Sequence, residues 1–341
     1  ENYRLYHENS QEFWIKTLSF HNGNTRAGWE NAVFLVPLFL FCDVLGGLNL
    51  LFIYYFTTSC VLLFLVLFYL WMRNVWGKLE AFFAFIFLGF SSIFQEIVRG
   101  GNYDSASLLM AIILIRYLFH RIGIEDNKYF FKLGVLTALS WYAYGPIRGL
   151  TIVSFIRTIY VRICKPHKAF LRTLVTFLVI LIPGIIILLT QHNPHHGSIH
   201  QALIDKENIF DYEKGNINNI LQVIKNNFSL FFHRLLGARE VLDFPMRWQP
   251  HAHFINPLLV LPMFLGLVNL LTSLSKPVNQ LLIALTGMIF IIPVVTSGGG
   301  FDEPRRAIFY VIPMYCLIGI GSKSIVDFLR ERIRLKVVKV I

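Results

Sequence analysis

From Asn49 to Trp71 the chain runs NLLFIYYFTTSCVLLFLVLFYLW, 23 residues without a charge. As an α-helix rising about 1.5 Å per residue, that stretch is long enough to cross the ~30 Å hydrocarbon core of a bilayer. Further apolar stretches lie at about 79–95, 105–119, 129–144, 149–163, 173–190, 255–274, 278–297 and 306–322, giving nine candidate spans. The composition agrees: 55% of the residues are hydrophobic, 15% aromatic and only 15% charged, with a mean hydropathy of +0.57. The expected fold class is therefore all-α, a polytopic integral membrane protein rather than a soluble domain.

The connections sort by sign. Arg73 and Lys78, then Arg121, Lys128 and Lys132, then Arg157, Arg162, Lys165, Lys168 and Arg172, then Lys276, then the tail from Lys323 to Lys339, all fall on alternate connections. The positive-inside rule places these in the cytoplasm. The other set, residues 1–48, 96–104, 145–148, 191–254 and 298–305, holds most of the carboxylates and nine of the eleven histidines, and faces outward. Ala32–Gly46 (AVFLVPLFLFCDVLG) is apolar but short, carries Pro37 and Asp43, and would break the parity by crossing. It reads as an interfacial or re-entrant helix.

The expected organisation is a first outer loop with an interfacial helix (1–48), spans (49–190), a large outer loop with an amphipathic helix (191–254), spans (255–322) and a basic cytoplasmic tail (323–341). At least one further span is expected upstream, because the chain opens on an outward polar stretch. The net charge of +11 sits in short cytoplasmic loops and the tail RERIRLKVVKV, which fits anionic lipid headgroups and not nucleic acid. Cys42, Cys60, Cys164 and Cys316 stand singly, with neither disulfide-frame nor zinc spacing.

Four outward segments carry chemistry. The opening segment bears Glu1, Glu8, Glu12 and Glu30, carboxylates able to accept a proton where water is partly excluded, or else solvated loop residues. In FQEIVRGGNYDSASLL a short loop holds Arg99, Asn102, Tyr103 and Asp104, the last at a helix start where Asp also serves as a cap. In SWYAYGPIRGL, Tyr142, Tyr144 and Arg148 flank a Gly-Pro turn; arginine suits phosphate and tyrosine suits a sugar, while an aromatic belt with a snorkelling arginine is the competing reading. In TSGGGFDEPRRAIFYVIPMY, Arg305 and Arg306 stand outside, against the positive-inside trend, and need a partner. Asp302 and Glu303 or a lipid phosphate would supply one. His192, His195, His196 and His200, with His251 and His253, match no standard zinc spacing and read as an exposed polar loop.

In order and common sidedness these segments resemble the polytopic GT-C glycosyltransferases, in particular the branch with protein O-mannosyltransferases and the lipid A aminoarabinose transferase. The resemblance rests on an acidic-aromatic first outer loop, a PLFLF helix ending at Gly46-Gly47, the turn RNVWGK, the loop ending at Asp104, YAYGPIRGL, and PRRAIFYVIPMYCLIGIG. It implies transfer of a sugar from a polyprenyl-phosphate donor, with inversion, to an acceptor glycan, lipid or protein outside the cytoplasm, in the bacterial inner (plasma) membrane. It implies that Glu1 is either the second member of a first-loop Asp-Glu pair or its replacement. Asp104 takes a supporting acidic role, and Arg99, Arg148 and Arg305 or Arg306 bind the donor phosphate. No cofactor is firmly implied beyond the lipid-linked donor as substrate, and a divalent metal held by acidic loop residues stays open. The competing expectation is a non-catalytic subunit with this fold, acting as scaffold or lipid-binding partner in a larger complex. A transporter is disfavoured, since Arg116 and a few prolines are the only intramembrane breaks.

Overall fold

The computed structural model describes residues 2–8, 32–91, 94–95, 104–119, 127–142, 149–160, 166–190, 225, 255–295 and 304–340. Among these the chain is all-helical, with no strand. The helices are α1 (Asn2–Glu8), α2 (Ala32–Val44), α3 (Leu50–Val75), α4 (Lys78–Gly89), α5 (Asp104–Phe119), α6 (Asn127–Trp141), α7 (Leu150–Tyr160), α8 (Pro166–Thr190), α9 (Val260–Thr272), α10 (Pro277–Val295) and α11 (Pro304–Val340). A 3-10 turn, Pro257–Leu259, leads into α9.

Among the described residues, two helical stretches are long and apolar enough to cross a membrane, Leu50–Val75 and Ile312–Ile333, with mean hydropathies of 2.3 and 1.4. The other apolar stretches of the sequence also form helices, but with different bounds. The stretch 79–95 is interrupted: α4 stops at Gly89, and the Ser91 hydroxyl donates to Leu88 O and accepts from Phe94 N, turning the chain there. At the far end, the span expected over 306–322 and the basic tail are one 37-residue helix. The amphipathic helix expected after residue 216 lies outside the described residues, apart from Lys225.

Local chemistry explains the sharpest turn. After α2, Gly47 N–H reaches back to Cys42 O at 2.8 Å, and Gly46 and Gly47 take φ of 93° and 121°. Glycine adopts that backbone without Cβ strain, so the pair ends α2. Asn49 then caps α3, its side chain accepting from Leu51 N at 2.9 Å.

Contacts between helices fix their directions. Ala106 of α5 packs in the cluster of Cys60, while Trp71 meets Phe119 at 5.1 Å, so α3 and α5 run the same way. Tyr315 bonds Ser91 and Lys323 approaches Glu80 at 3.9 Å, so α11 runs opposite to α4. Tyr142 hydroxyl donates to Ile180 O, and Thr173 hydroxyl to Phe130 O, so α6 and α8 run together. Arg157 Nε donates to Leu118 O, aligning α7 with α5. One end of the bundle thus gathers the starts of α3, α5, α7 and α11 with the ends of α4 and α6. The other gathers the ends of α3, α5 and α7 with the start of α10, where Trp76 Nε1 donates to Asn279 Oδ1 at 3.3 Å.

The core is aromatic and built from Phe64, Phe68, Trp71 and Met72 of α3 against α5 and α11. Helices approach closely where a side chain is missing. A Cβ on Gly266 would lie 1.9 Å from Leu317 O, and one on Gly321 would lie 1.8 Å from Pro262 O. Such small-residue crossings pack membrane helices without help from water. Outward, α8 shows Leu171, Val175, Leu178, Val179, Ile182 and Ile186 as one exposed stripe at helical spacing. An uncovered apolar stripe of that length fits hydrocarbon surroundings rather than water.

Candidate functional site

The end of the bundle at which α5 and α11 start holds every described residue singled out from the sequence. Asp104 is the first residue of α5, and Arg305 and Arg306 are the second and third of α11. Tyr142 follows α6, buried, its hydroxyl donating to Ile180 O at 2.9 Å. That bond ties α6 to α8. Glu1, Arg99, Asn102, Tyr144 and Arg148 lie outside the described residues, as does the histidine-rich set. The described residues flanking 96–103 (Gln95 and Asp104) and 143–148 (Tyr142 and Gly149) belong to this end.

The opening segment comes to the same place. Tyr6 of α1 packs on Phe39 with ring centroids 5.5 Å apart, and His7 Nε2 lies 3.1 Å from Asp43 Oδ1. Tyr6 also packs on the cluster of Leu38, Phe39, Cys42, Cys60 and Ala106. Ala106 is two residues beyond Asp104, so the helix that begins one residue after Glu1 shares a cluster with the first turn of α5. Burial pushes the Cys42 thiol up from its ordinary pKa, and Cys42 is an inert member of that cluster.

A second feature escaped the sequence. A cavity of about 740 Å³ opens between α4, the 3-10 turn with α9, and α11. Aromatic and aliphatic side chains such as Phe83, Phe87, Leu258 and Val326 line most of it. Its polar groups near the close of α4 are Ser91, which shares a hydrogen bond with Tyr315, and Asn256, whose side chain accepts from Leu258 N at 3.0 Å. Gln95 Nε2 donates to Gly89 O at 2.7 Å and holds the chain as it leaves toward residues 96–103. A mostly apolar wall with a few polar side chains, Ser322 among them, suits an amphiphile. Ser91 follows the end of α4, Asn256 precedes the 3-10 turn and Tyr315 lies within α11, and nothing in their local sequence sets them apart.

Charge at this end has a definite sense. The first turn of α11 contains no acidic residue and two arginines, Arg305 and Arg306. A helix start already carries a partial positive charge, so cations there are disfavoured by ~0.3–1 kcal/mol each unless an anion offsets them. Among the described residues, no group of three His, Cys, Asp or Glu side chains is placed to hold a metal ion.

No protein-family model matches the chain, and no curated protein does either. Solved structures do. The archaeal oligosaccharyltransferase AglB from Archaeoglobus fulgidus, in complex with an inhibitory peptide and a dolichol-phosphate, superposes with a TM-score of 0.54 at 12% identity. The match covers 90% of this chain and 43% of that one. The crystal structure of the Archaeoglobus fulgidus oligosaccharyltransferase with Zn and sulfate gives 0.54 at 11% identity, over 96% and 44%. The form tethered to an acceptor peptide containing the NVT sequon gives 0.53 at 12%, over 94% and 44%. This chain spans less than half the length of those proteins. At that level of identity the match concerns the fold: the chain shares the fold of the part of these oligosaccharyltransferases that it covers.

Proposed function

We propose that this protein is a polytopic membrane glycosyltransferase that moves a sugar from a polyprenyl-phosphate donor to an acceptor at the end of the bundle where α5 and α11 start. The observation that carries this reading is the shared fold, which takes in nine-tenths of the chain. One of the matching structures holds a dolichol-phosphate, the class of lipid the reading requires. The 740 Å³ cavity, mostly apolar with polar groups at Ser91, Asn256, Tyr315 and Ser322, is of a size and character to take part of an isoprenoid chain. In this reading all nine apolar stretches cross the membrane, and the active end faces away from the cytoplasm, in a bacterial inner membrane.

The chemistry follows from charge. A carboxylate, Glu1 with Asp104 in support, orients the acceptor and takes its proton. Arg99, Arg148, Arg305 and Arg306 stabilise the negative charge that grows on the departing lipid phosphate, with inversion at the anomeric carbon. Asn102 and Tyr144 contact the sugar. Tyr142 positions this wall through its bond to Ile180 O. An acceptor glycan, lipid or protein is compatible with the arrangement, and a divalent ion on acidic loop residues would add to the positive potential.

The test uses membranes carrying the full-length protein and a panel of radiolabelled polyprenyl-phosphate sugars. Wild type is expected to transfer from one of them, and Asp104→Asn and Arg148→Ala to lower the rate by about 100-fold or more at unchanged protein level. Wild type that transfers from no donor would put the non-catalytic membrane subunit in its place.

A further inference from the structure

Residues 142–149, YAYGPIRG, join α6 to α7 at the end of the bundle that holds the candidate site, and they include Tyr144 and Arg148. A hydrogen bond closes the two helices across this connection. Trp141, the last residue of α6, donates from Nε1 to Thr151 Oγ1, in the first turn of α7, at 2.8 Å. Ten residues of extended chain would reach about 33 Å, so the connection alone does not bring the two helices together there.

Both partners are held from behind. Thr151 is buried, and a buried hydroxyl that loses its hydrogen bond is costly. The Trp141 ring stands edge-on to Phe177 of α8, with centroids 5.9 Å apart, and Phe177 also meets Phe155 of α7 at 5.6 Å. That packing limits how far the indole turns, so its N–H is aimed. Together the bond and the rings set the start of α7 against α6 and α8. Arg148 stands two residues before α7 and three before Thr151, so a displaced helix start carries the arginine with it.

We infer, on the reading that this end of the bundle transfers sugar, that Trp141 and Thr151 are positioning residues for Arg148. Their bond fixes where α7 starts, and so where the guanidinium meets the phosphate of the donor. A displaced arginine still attracts the phosphate but no longer lies where charge grows on it. The loss therefore falls on kcat more than on the donor KM.

The test measures kcat and donor KM for the full-length protein in membranes. Thr151→Val keeps the shape of the side chain without the acceptor, and Trp141→Phe keeps a ring beside Phe177 without the N–H. Each is expected to lower kcat about tenfold with KM within about threefold, and the double variant no further than either alone. Thr151→Ser is expected to restore wild-type kcat. Phe155→Leu loosens the packing on Phe177 but leaves the bond, and is expected to lower the melting midpoint without lowering kcat. An active wild type with unchanged kcat in Thr151→Val would overturn the positioning role, and so would an equal loss in Phe155→Leu. Hydrogen exchange on the same proteins in detergent reads the bond without any donor. The amides of Ser154, Phe155 and Ile156, which close the first turns of α7, are expected to exchange about fivefold faster in Thr151→Val and at the wild-type rate in Thr151→Ser. Unchanged exchange in Thr151→Val would show that the bond does not hold the start of α7, whatever the activity. Wild type that transfers from no donor would instead remove the transferase reading, and the role of Arg148 with it.

Discussion

Alanine at Gly266 gives the sharpest test of how this bundle is held. Its Cβ would lie 1.9 Å from Leu317 O, 2.7 Å from Leu317 C and 3.0 Å from Leu317 Cα. All three are backbone atoms, so no rotamer change relieves the clash. Ordinary contact begins near 3.4 Å, so α9 and α11 must separate by about 1.5 Å. That shift opens the neighbouring crossing of Gly321 on Pro262 and forfeits a quarter to a half of the dispersion well for each atom pair along it. Overpacking typically costs 1–3 kcal/mol, and a backbone clash belongs at the upper end, about 3 kcal/mol. The melting midpoint should fall by roughly 4 °C. A thiol-reactive dye reads it, because Cys42, Cys60 and Cys316 are free and buried until the protein unfolds. Gly287→Ala is the control, since its Cβ meets nothing within 4 Å, and it should leave the midpoint unchanged or slightly raised. Identical midpoints for the two variants would refute the tight crossing.

Asn279→Ala removes the acceptor of Trp76 Nε1 and the amide that donates to Ser273 O at 2.9 Å and to Ser273 Oγ at 2.7 Å. A loss of about 2 kcal/mol is expected in the same dye assay, and a midpoint within a degree of wild type would show that the α3 to α10 link is dispensable. Tyr142→Phe deletes the bond to Ile180 O and should cost about 1 kcal/mol while leaving the donor KM within twofold. A tenfold rise in that KM would put the hydroxyl on the substrate.

The strongest sequence signals were those that depend on neighbours along the chain. The uncharged run from Asn49 to Trp71 became α3, and Gly46-Gly47 became the turn before it. Helix ends set by a distant partner or a single hydroxyl were not legible. The stretch 79–95 reads as continuous until the Ser91 hydroxyl is seen bonding both ways around the turn. Arg157 reads as a loop cation because its acceptor, Leu118 O, is 39 residues away. The candidate site divides in the same manner. Asp104 and the arginine pair stand out by charge in an apolar chain, whereas Ser91, Asn256 and Tyr315 are ordinary until the fold brings three distant parts of the chain to one wall.

The helix α11 carries the argument about charge furthest. Its 37 residues extend about 55 Å, well beyond a ~30 Å hydrocarbon core, and both of its ends are basic. Toward the carboxyl end stand Arg330, Arg332, Arg334, Lys336 and Lys339, of which Lys339 falls in the last turn, at the negative end of the helix dipole, and Lys323 is paired with Asp327 at 2.9 Å. Topology and the dipole both favour cations there. Neither favours Arg305 and Arg306 at the amino end, where the dipole is positive, the first turn has no carboxylate and the positive-inside rule expects few cations. That pair calls for an anion, which Asp302 and Glu303 just before the helix or a lipid phosphate brought to the site would supply.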